Sequence, residues 1–315
     1  EQHRFGVEQR SALADRADVE PHTLVMTATP IPRSVAMTIF GDLDTSFLRD
    51  LPEGRAGVKT VFVNTEQHPH WVARAWERVR EEVSEGRQAF IVCPRIDAED
   101  SSSPDEWLEG IPGTRTLASV TQLADDLSSG PLSGVRVGVV HGRQPAAQRD
   151  ETMTAFADGK IDVLVSTTVI EVGVDVPNAT MMVVVDADRF GLSQLHQLRG
   201  RIGRGQNPGL CLLLAPVTDP ASPVLDRLNA LASTADGFEL AELDLRLRRE
   251  GNVLGSEQSG APRVLKLLRV LDDADLIQLT KQISDEIVEG DPKAEAGWVK
   301  DVLRQVSSAE WIARS

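Results

Sequence analysis

The sequence predicts an α/β fold: a parallel β-sheet flanked by helices, followed by an α-helical C-terminal region. Three observations predict it. Short β-branched runs alternate with amphipathic stretches between residues 58 and 218. The runs Met181–Val185 and Leu210–Ala215 are apolar throughout, as strands covered on both faces must be. Beyond residue 218 no convincing strand recurs, and apolar positions fall at helical spacing.

The elements follow in order. Val58–Val63 (VKTVFV) reads as a strand and His70–Glu85 as a helix. Ala89–Cys93 is a strand, Ser119–Leu127 a helix, Val135–His141 a strand and Ala146–Ala157 a helix. Asp162–Thr167 and Thr180–Asp186 are strands, Ser193–Arg199 is a short helix, and Gly209–Ala215 is the last strand. One insertion interrupts the alternation. Asp97, Glu99, Asp100, Asp105, Glu106 and Glu109 occur without an intervening Lys or Arg, next to SSSP, and read as a solvated, mobile loop. Helical periodicity then covers Ser222–Ala235, Phe238–Arg249, Arg263–Asp272 and Asp275–Glu289, with Leu240, Leu243 and Leu247 on one face. A Gly-rich link, Gly251–Gly260, joins two of these helices, and from Lys293 the chain reads as a short polar helix or tail. At the other end, residues 1–57 hold one strand, Thr23–Thr27, and a helix, Pro32–Phe40. That is too little for a domain and reads as the tail of one. The expected division is therefore 1–57, 58–218 and 219–315.

The chain has 315 residues, 41% hydrophobic and 26% charged, ordinary for a globular protein of two domains or one domain plus pieces of others. The N-terminal stretch EQHRFGVEQR is polar and does not resemble a secretory signal. No apolar run approaches the roughly 20 residues that cross a bilayer. Cys93 and Cys211 lie in apolar runs (FIVCP, GLCLLLA) and read as reduced core residues of a cytoplasmic protein. Without a neighbouring His cluster they supply no zinc site, and no metal ligand set is expected. The net charge of −15 argues against wholesale nucleic-acid binding, although a motor needs only a basic track.

The chemistry concentrates in QLHQLRGRIGRG, Gln194–Gly205. Arg199, Arg201 and Arg204 stand around Gly200 and Gly203 after a strand and a short helix. Guanidinium forks match phosphate oxygens bidentately, and in NTPases such arginines stabilise charge on the transferred phosphoryl group. Three arginines alone would suit a surface salt-bridge network equally well. The string Q-x-x-G-R-x-G-R is far more specific.

That string resembles motif VI of superfamily 2 helicases, motors that close two RecA-like domains around ATP. The resemblance implies that the sheet is the second RecA-like motor domain. It also implies that Arg201 and Arg204 face the triphosphate, with Gln197 bridging the cleft. Other motifs occur in the right order. Thr27-Ala-Thr29-Pro is similar to motif III, which links ATP state to domain movement. Ser166–Pro177 (STTVIEVGVDVP) is similar to motif V, which would place Thr167 and Thr168 on nucleic-acid backbone, Gly173 in the ATP-coupling set and Asp175 near the nucleotide ribose or the facing domain. Asp175 alone would be a turn-former before Val-Pro. His141-Gly142-Arg143 at a strand end resembles another backbone-contacting segment, though a lone His there is usually just a satisfied polar residue. Glu1-Gln2-His3 resembles the end of a D-E-x-H motif II, with Glu1 as the catalytic carboxylate and His3 in the ATP-coupling set; the Mg²⁺-holding Asp is absent from the string. G-x-x-x-x-G-K-[ST] occurs nowhere. ATP and Mg²⁺ are accordingly expected only in an intact protein, and this chain alone is expected to be ATPase-inactive. Arg201 and Arg204 would then be exposed.

The likeness narrows to the RecG family, bacterial DNA translocases that remodel stalled forks and Holliday junctions. It rests on HRFGVEQR, TATPIPRSVAMTIFGDLD, LPEGR, VVHGR, TTVIEVGVDVP and FGLSQLHQLRGRIGRG. Departures are the acidic insertion and Gln144-Pro145, where a bulkier, more basic pair is expected. The string DLRLRREGNVLGSEQSG, Asp244–Gly260, is similar to the helical hairpin and loop through which that family and the Mfd family turn ATP cycling into double-strand translocation. Arg248 and Gln258 match the polar residues on which that motif depends; by spacing alone they would be a helix-capping ion pair and a surface amide. The implied partners are branched double-stranded DNA and, within the same protein, a first motor domain and an N-terminal wedge, in a monomer. Two alternatives stand beside this one: a fragment of an Mfd-like transcription-repair coupling translocase, and a non-enzymatic binding module on a helicase fold.

Overall fold

In a computed structural model of the chain, the described residues are 24, 26, 46, 56–96, 118–168, 175–247, 274–291 and 296–300. Residues 56–247 belong to one compact unit and 274–300 to a second.

The first unit alternates as expected: β1 (Val58–Asn64), α1 (His70–Ser84), β2 (Gln88–Val92), α2 (Val120–Ser129), β3 (Val137–Val140), α3 (Ala146–Ala157), β4 (Val163–Ser166), β5 (Ala179–Val185), a 3₁₀ turn (Ala187–Arg189), α4 (Leu192–Arg199), β6 (Gly209–Ala215), α5 (Pro223–Ser233) and α6 (Gly237–Leu247). Every pairing is parallel, in the order β1-β6-β5-β2-β4-β3. Successive strand side chains alternate, so each central strand feeds two cores. On one face Phe90, Val92, Leu164, Met182 and Leu213 pack with Phe156 of α3, Leu195 and Leu198 of α4, and Leu228 and Leu231 of α5. On the other, Ile91, Val165, Met181 and Val183 pack with Ala75 and Val79 of α1 and Ala124 and Leu127 of α2. Burying an aliphatic side chain contributes about 1.5–3 kcal/mol, so continuous apolar runs are stable here only because helices cover both faces. Cys93 and Cys211 are free and fully buried within these cores.

Helix α1 shows how local sequence sets an element. Ala75, Val79 and Val83 recur at helical spacing on the core side, while Arg74 pairs with Glu77 and Glu81 outside. Gly86, at φ 77°, adopts the left-handed conformation that ends the helix. Glu82 turns inward instead. It accepts a 2.6 Å bond from Thr180 Oγ1 of β5 and pairs with Arg78 and Arg87. Burial alone would raise its pKa, but the bonds from Arg87 and Thr180 and the Arg78 charge hold it below the ordinary value.

Element ends fall within one or two residues of those read from sequence. Of the run Thr23–Thr27, which the sequence predicts as a strand, the described residues are Leu24 and Met26; both lie outside the six strands and are 80% and 67% exposed. In the second unit α7 (Ala274–Gly290) forms where Asp275–Glu289 was read as helical. The Pro32–Phe40 and Arg263–Asp272 helices and the acidic insertion lie outside the described residues. No helix is long and apolar enough to cross a membrane among the described residues.

Candidate functional site

The arginine loop after α4 sits where β1, β5 and β6 begin. Gly203 N donates to Ala179 O at 3.3 Å, and Gly209 N donates to Gly57 O at 2.8 Å. The glycines of RGRIGRG have a steric purpose. A Cβ on Gly203, which has φ 65°, would lie 2.7 Å from Val58 Cγ2, and one on Gly205 would lie 2.7 Å from Pro177 O. Only bare backbone fits between the starts of those strands. This close approach carries Arg204 onto the end of the Ser166–Pro177 segment. Its Nη1 donates to Asp175 Oδ1 at 3.1 Å, and its Nε donates to Gly200 O at 2.9 Å. The fork is thus oriented from two sides, and Nη2 makes no bond among the described residues. Arg204 and Arg201 are half-buried, not exposed as the sequence reading had them. The loop folds back on its own helix and onto Asp175, so Arg204 has partners inside the domain. Gln197 is half-buried on α4.

The third arginine of the string behaves differently. Arg199 does not reach out; it is 6% exposed. Its Nη1 donates to Leu231 O at 2.9 Å and Thr234 O at 2.7 Å, and its Nη2 donates to Ala235 O at 3.3 Å. These carbonyls close the C-terminal end of α5, where helix carbonyls lack internal partners and carry partial negative charge. Burial pulls the Arg199 guanidinium below its ordinary pKa. It also holds His196, one turn earlier, down to about 4, with the Arg199 charge adding to this and Asp236 opposing it. Sequence reading missed this role, because a cation that pairs with carbonyls leaves no acidic partner to spot.

A second group lies at the opposite edge, where strands end. His141 follows β3, and Thr167 and Thr168 follow β4, its hydrogen-bonded neighbour. Thr167 is buried, His141 and Thr168 are half-buried, and Arg143 is exposed. Gln144 holds this turn: its Oε1 accepts from His141 N at 3.0 Å, and its Nε2 donates to Val139 O at 3.3 Å. In the sequence Gln144 stands out only as a departure from the family; its spacing of three residues from His141 is the signal that marks it as a brace. The Ser166–Pro177 segment therefore starts at one edge of the sheet and reaches Arg204 at the other. At the end of β5, Asp186 takes φ 53°, a left-handed conformation uncommon outside glycine, and its Oδ2 accepts from Ala118 N at 2.7 Å. Nothing in the sequence pattern flagged it. Glu1, His3, Thr27, Thr29, Gly173, Arg248 and Gln258 lie outside the described residues.

Known proteins share this sheet and much of this sequence. Residues 74–206 match the helicase conserved C-terminal domain, and residues 234–310 match domain 3, C-terminal, of the ATP-dependent DNA helicase RecG. The RecG helicase of Mycobacterium tuberculosis is 53% identical over 279 residues, covering 88% of this chain and 37% of that protein. That of Bacillus subtilis is 41% identical over 292 residues, covering 92% of this chain and 40% of that protein. A solved structure of RecG bound to a three-way DNA junction is 36% identical, with a TM-score of 0.61, over 88% of this chain and 32% of that one. The chain thus spans well under half the length of the relatives it matches. With the parallel RecA-like sheet, the arginine loop set against Asp175 and a family model specific to RecG all on one chain, this protein belongs to the RecG family of helicases and matches the C-terminal part of its members.

Proposed function

We propose that this chain is the C-terminal motor half of an ATP-dependent double-strand DNA translocase that remodels stalled replication forks and Holliday junctions. Residues 58–218 are its second motor domain, 219–315 its translocation hairpin and C-terminal helices, and 1–57 the end of its first motor domain. The observation that carries this reading is the Arg204–Asp175 pair, which joins the arginine loop to the Ser166–Pro177 segment at 3.1 Å.

The residues suit a triphosphate. Arg204 is pre-aimed by Asp175 and Gly200 with one face of its fork left open, and a fixed guanidinium stabilises phosphoryl charge without reorganising. Gly173 and Gln197 belong to the same jaw, with Arg201 beside Arg204. Bound ATP with Mg²⁺ would supply the driving reaction, with Glu1 as the base toward water and His3, Thr27 and Thr29 coupling it to movement. No P-loop is present in this sequence, so the chain by itself hydrolyses no ATP. His141, Arg143, Thr167 and Thr168 contact DNA backbone, and Arg248 and Gln258 drive the hairpin along the duplex. The buried, free cysteines suit a cytoplasmic protein, which would act as a monomer.

Arg204→Ala in a whole protein carrying this chain tests the reading. ATP-driven fork reversal should fall about 1,000-fold or more, the scale of a lost arginine finger, while fork DNA binding stays within about twofold by anisotropy. Wild-type fork reversal by that variant would refute the assignment.

A further inference from the structure

The edge of the sheet at β3 is closed by a side chain. β3 is the last strand in the sheet order, so its outer backbone groups have no strand beside them. Arg136 O, just before β3, accepts from Asp162 N at 2.8 Å and so faces β4. Backbone groups of successive strand residues point to opposite edges, which turns those of Val139 and His141 outward. Gln144 takes both. Its Oε1 accepts from His141 N at 3.0 Å, and its Nε2 donates to Val139 O at 3.3 Å. A carboxamide carries the same donor and acceptor as a peptide group. The Gln144 amide therefore stands where a peptide unit of a further parallel strand would stand, bonding a C=O and an N–H two residues apart on its neighbour.

The same residue closes the chain a second time through its backbone. Gln144 N donates to His141 O at 3.2 Å, which makes His141–Gln144 a β-turn. Gly142 and Arg143 are its corner residues, and both are exposed. Pro145 follows with φ −54°, and its C=O accepts from Gln148 N and Arg149 N at 3.1 Å, so α3 begins at once. Water would satisfy the outer groups of an edge strand nearly as well, because a hydrogen bond gained in folding replaces one to solvent. What the amide adds is a single geometry for a corner that contains a glycine, the residue with the most backbone freedom to lose.

We infer that Gln144 is a positioning residue for DNA engagement: it holds the Gly142–Arg143 corner in the shape that meets the DNA, so that Arg143 and His141 bind without first being ordered. This rests on the proposed function, in which those two residues contact DNA. Gln144 makes no contact of its own there and acts through the corner. Fixing the backbone of one residue is worth a factor of roughly 5–30 in an equilibrium constant. The Gln144 N–His141 O bond and Pro145 keep part of that order without the amide. A loss at the low end, about fivefold in affinity, is therefore expected when the amide is removed.

The test is binding of the 315-residue chain to a fluorescein-labelled three-way DNA junction, followed by anisotropy at about 0.1 M NaCl. Gln144→Met keeps the length of the side chain and removes both bonds. It should raise Kd about fivefold. In an Arg143→Ala background the same change should raise Kd about twofold or less, because the corner then has less to present. A purely structural brace would lower the urea midpoint of the Gln144→Met chain and leave junction affinity alone. Wild-type Kd in Gln144→Met overturns the positioning role and leaves the proposed function standing. An equal loss in both backgrounds also overturns it, since Gln144 would then act independently of the corner. Amide hydrogen exchange on the wild-type chain covers the case where Gln144→Met folds poorly. His141 N–H should be protected at least about tenfold relative to the unfolded chain, and an unprotected His141 N–H overturns the brace. Absence of junction binding by the wild-type chain overturns the proposed function and the positioning role together.

Discussion

Arg199→Ala should be among the most damaging single changes in this domain, although it touches no proposed ligand. Arg199 is 6% exposed and donates to three carbonyls, two of them at 2.9 and 2.7 Å. A hydrogen bond with a charged partner contributes about 1.5–3 kcal/mol, and a buried acceptor left without a donor costs about 1–3 kcal/mol. The contributions overlap, and breaking buried charged networks costs about 3–5 kcal/mol, so a loss of about 4 kcal/mol is expected. Urea denaturation of the chain at pH 7, followed by circular dichroism, measures it. Arg199→Lys discriminates the cause. Lysine keeps the charge but replaces a planar fork with a point donor, so it cannot serve carbonyls at 231, 234 and 235 together; it should recover less than half of the loss. A cost below about 1 kcal/mol for Arg199→Ala, or full recovery by lysine, would refute the strap, because the three bonds would then be replaced by water at no cost.

Acid should weaken the same region. His196 is held down to about 4, chiefly by burial. Its folded pKa is depressed, so the unfolded chain takes the proton first. Its stability contribution is complete above about pH 6.5 and is lost as pH falls toward 4, by up to about 3 kcal/mol. His196→Gln should flatten the stability profile between those pH values; a profile identical to wild type would reject His196 as the source. The two thiols provide an independent check on the core. Burial pushes Cys93 and Cys211 up to about 12, so a disulfide reagent at pH 8 should label neither until denaturant is added. Rapid labelling of the native chain would contradict the packing of β2 and β6.

Much of the fold is legible in the sequence because its signals are local. Two-residue and 3.6-residue periodicities depend on neighbours along the chain, and Ala146–Ala157 and Gly209–Ala215 form with the bounds their periodicity indicates. Continuous apolar strands such as ATMMVVV also imply a sheet covered on both faces.

By itself, then, the sequence determined the α/β alternation, the parallel sheet and the identity of the arginine string, all of which follow from local pattern and residue type. Only the tertiary structure decided what each arginine of QLRGRIGRG does. Spacing presented Arg199, Arg201 and Arg204 as one cluster. Folding buries Arg199 against the end of α5 and half-buries the other two, with Arg204 turned onto Asp175. The difference depends on which carbonyls and carboxylates approach from residues about 30 positions away, and no periodicity along the chain carries that information.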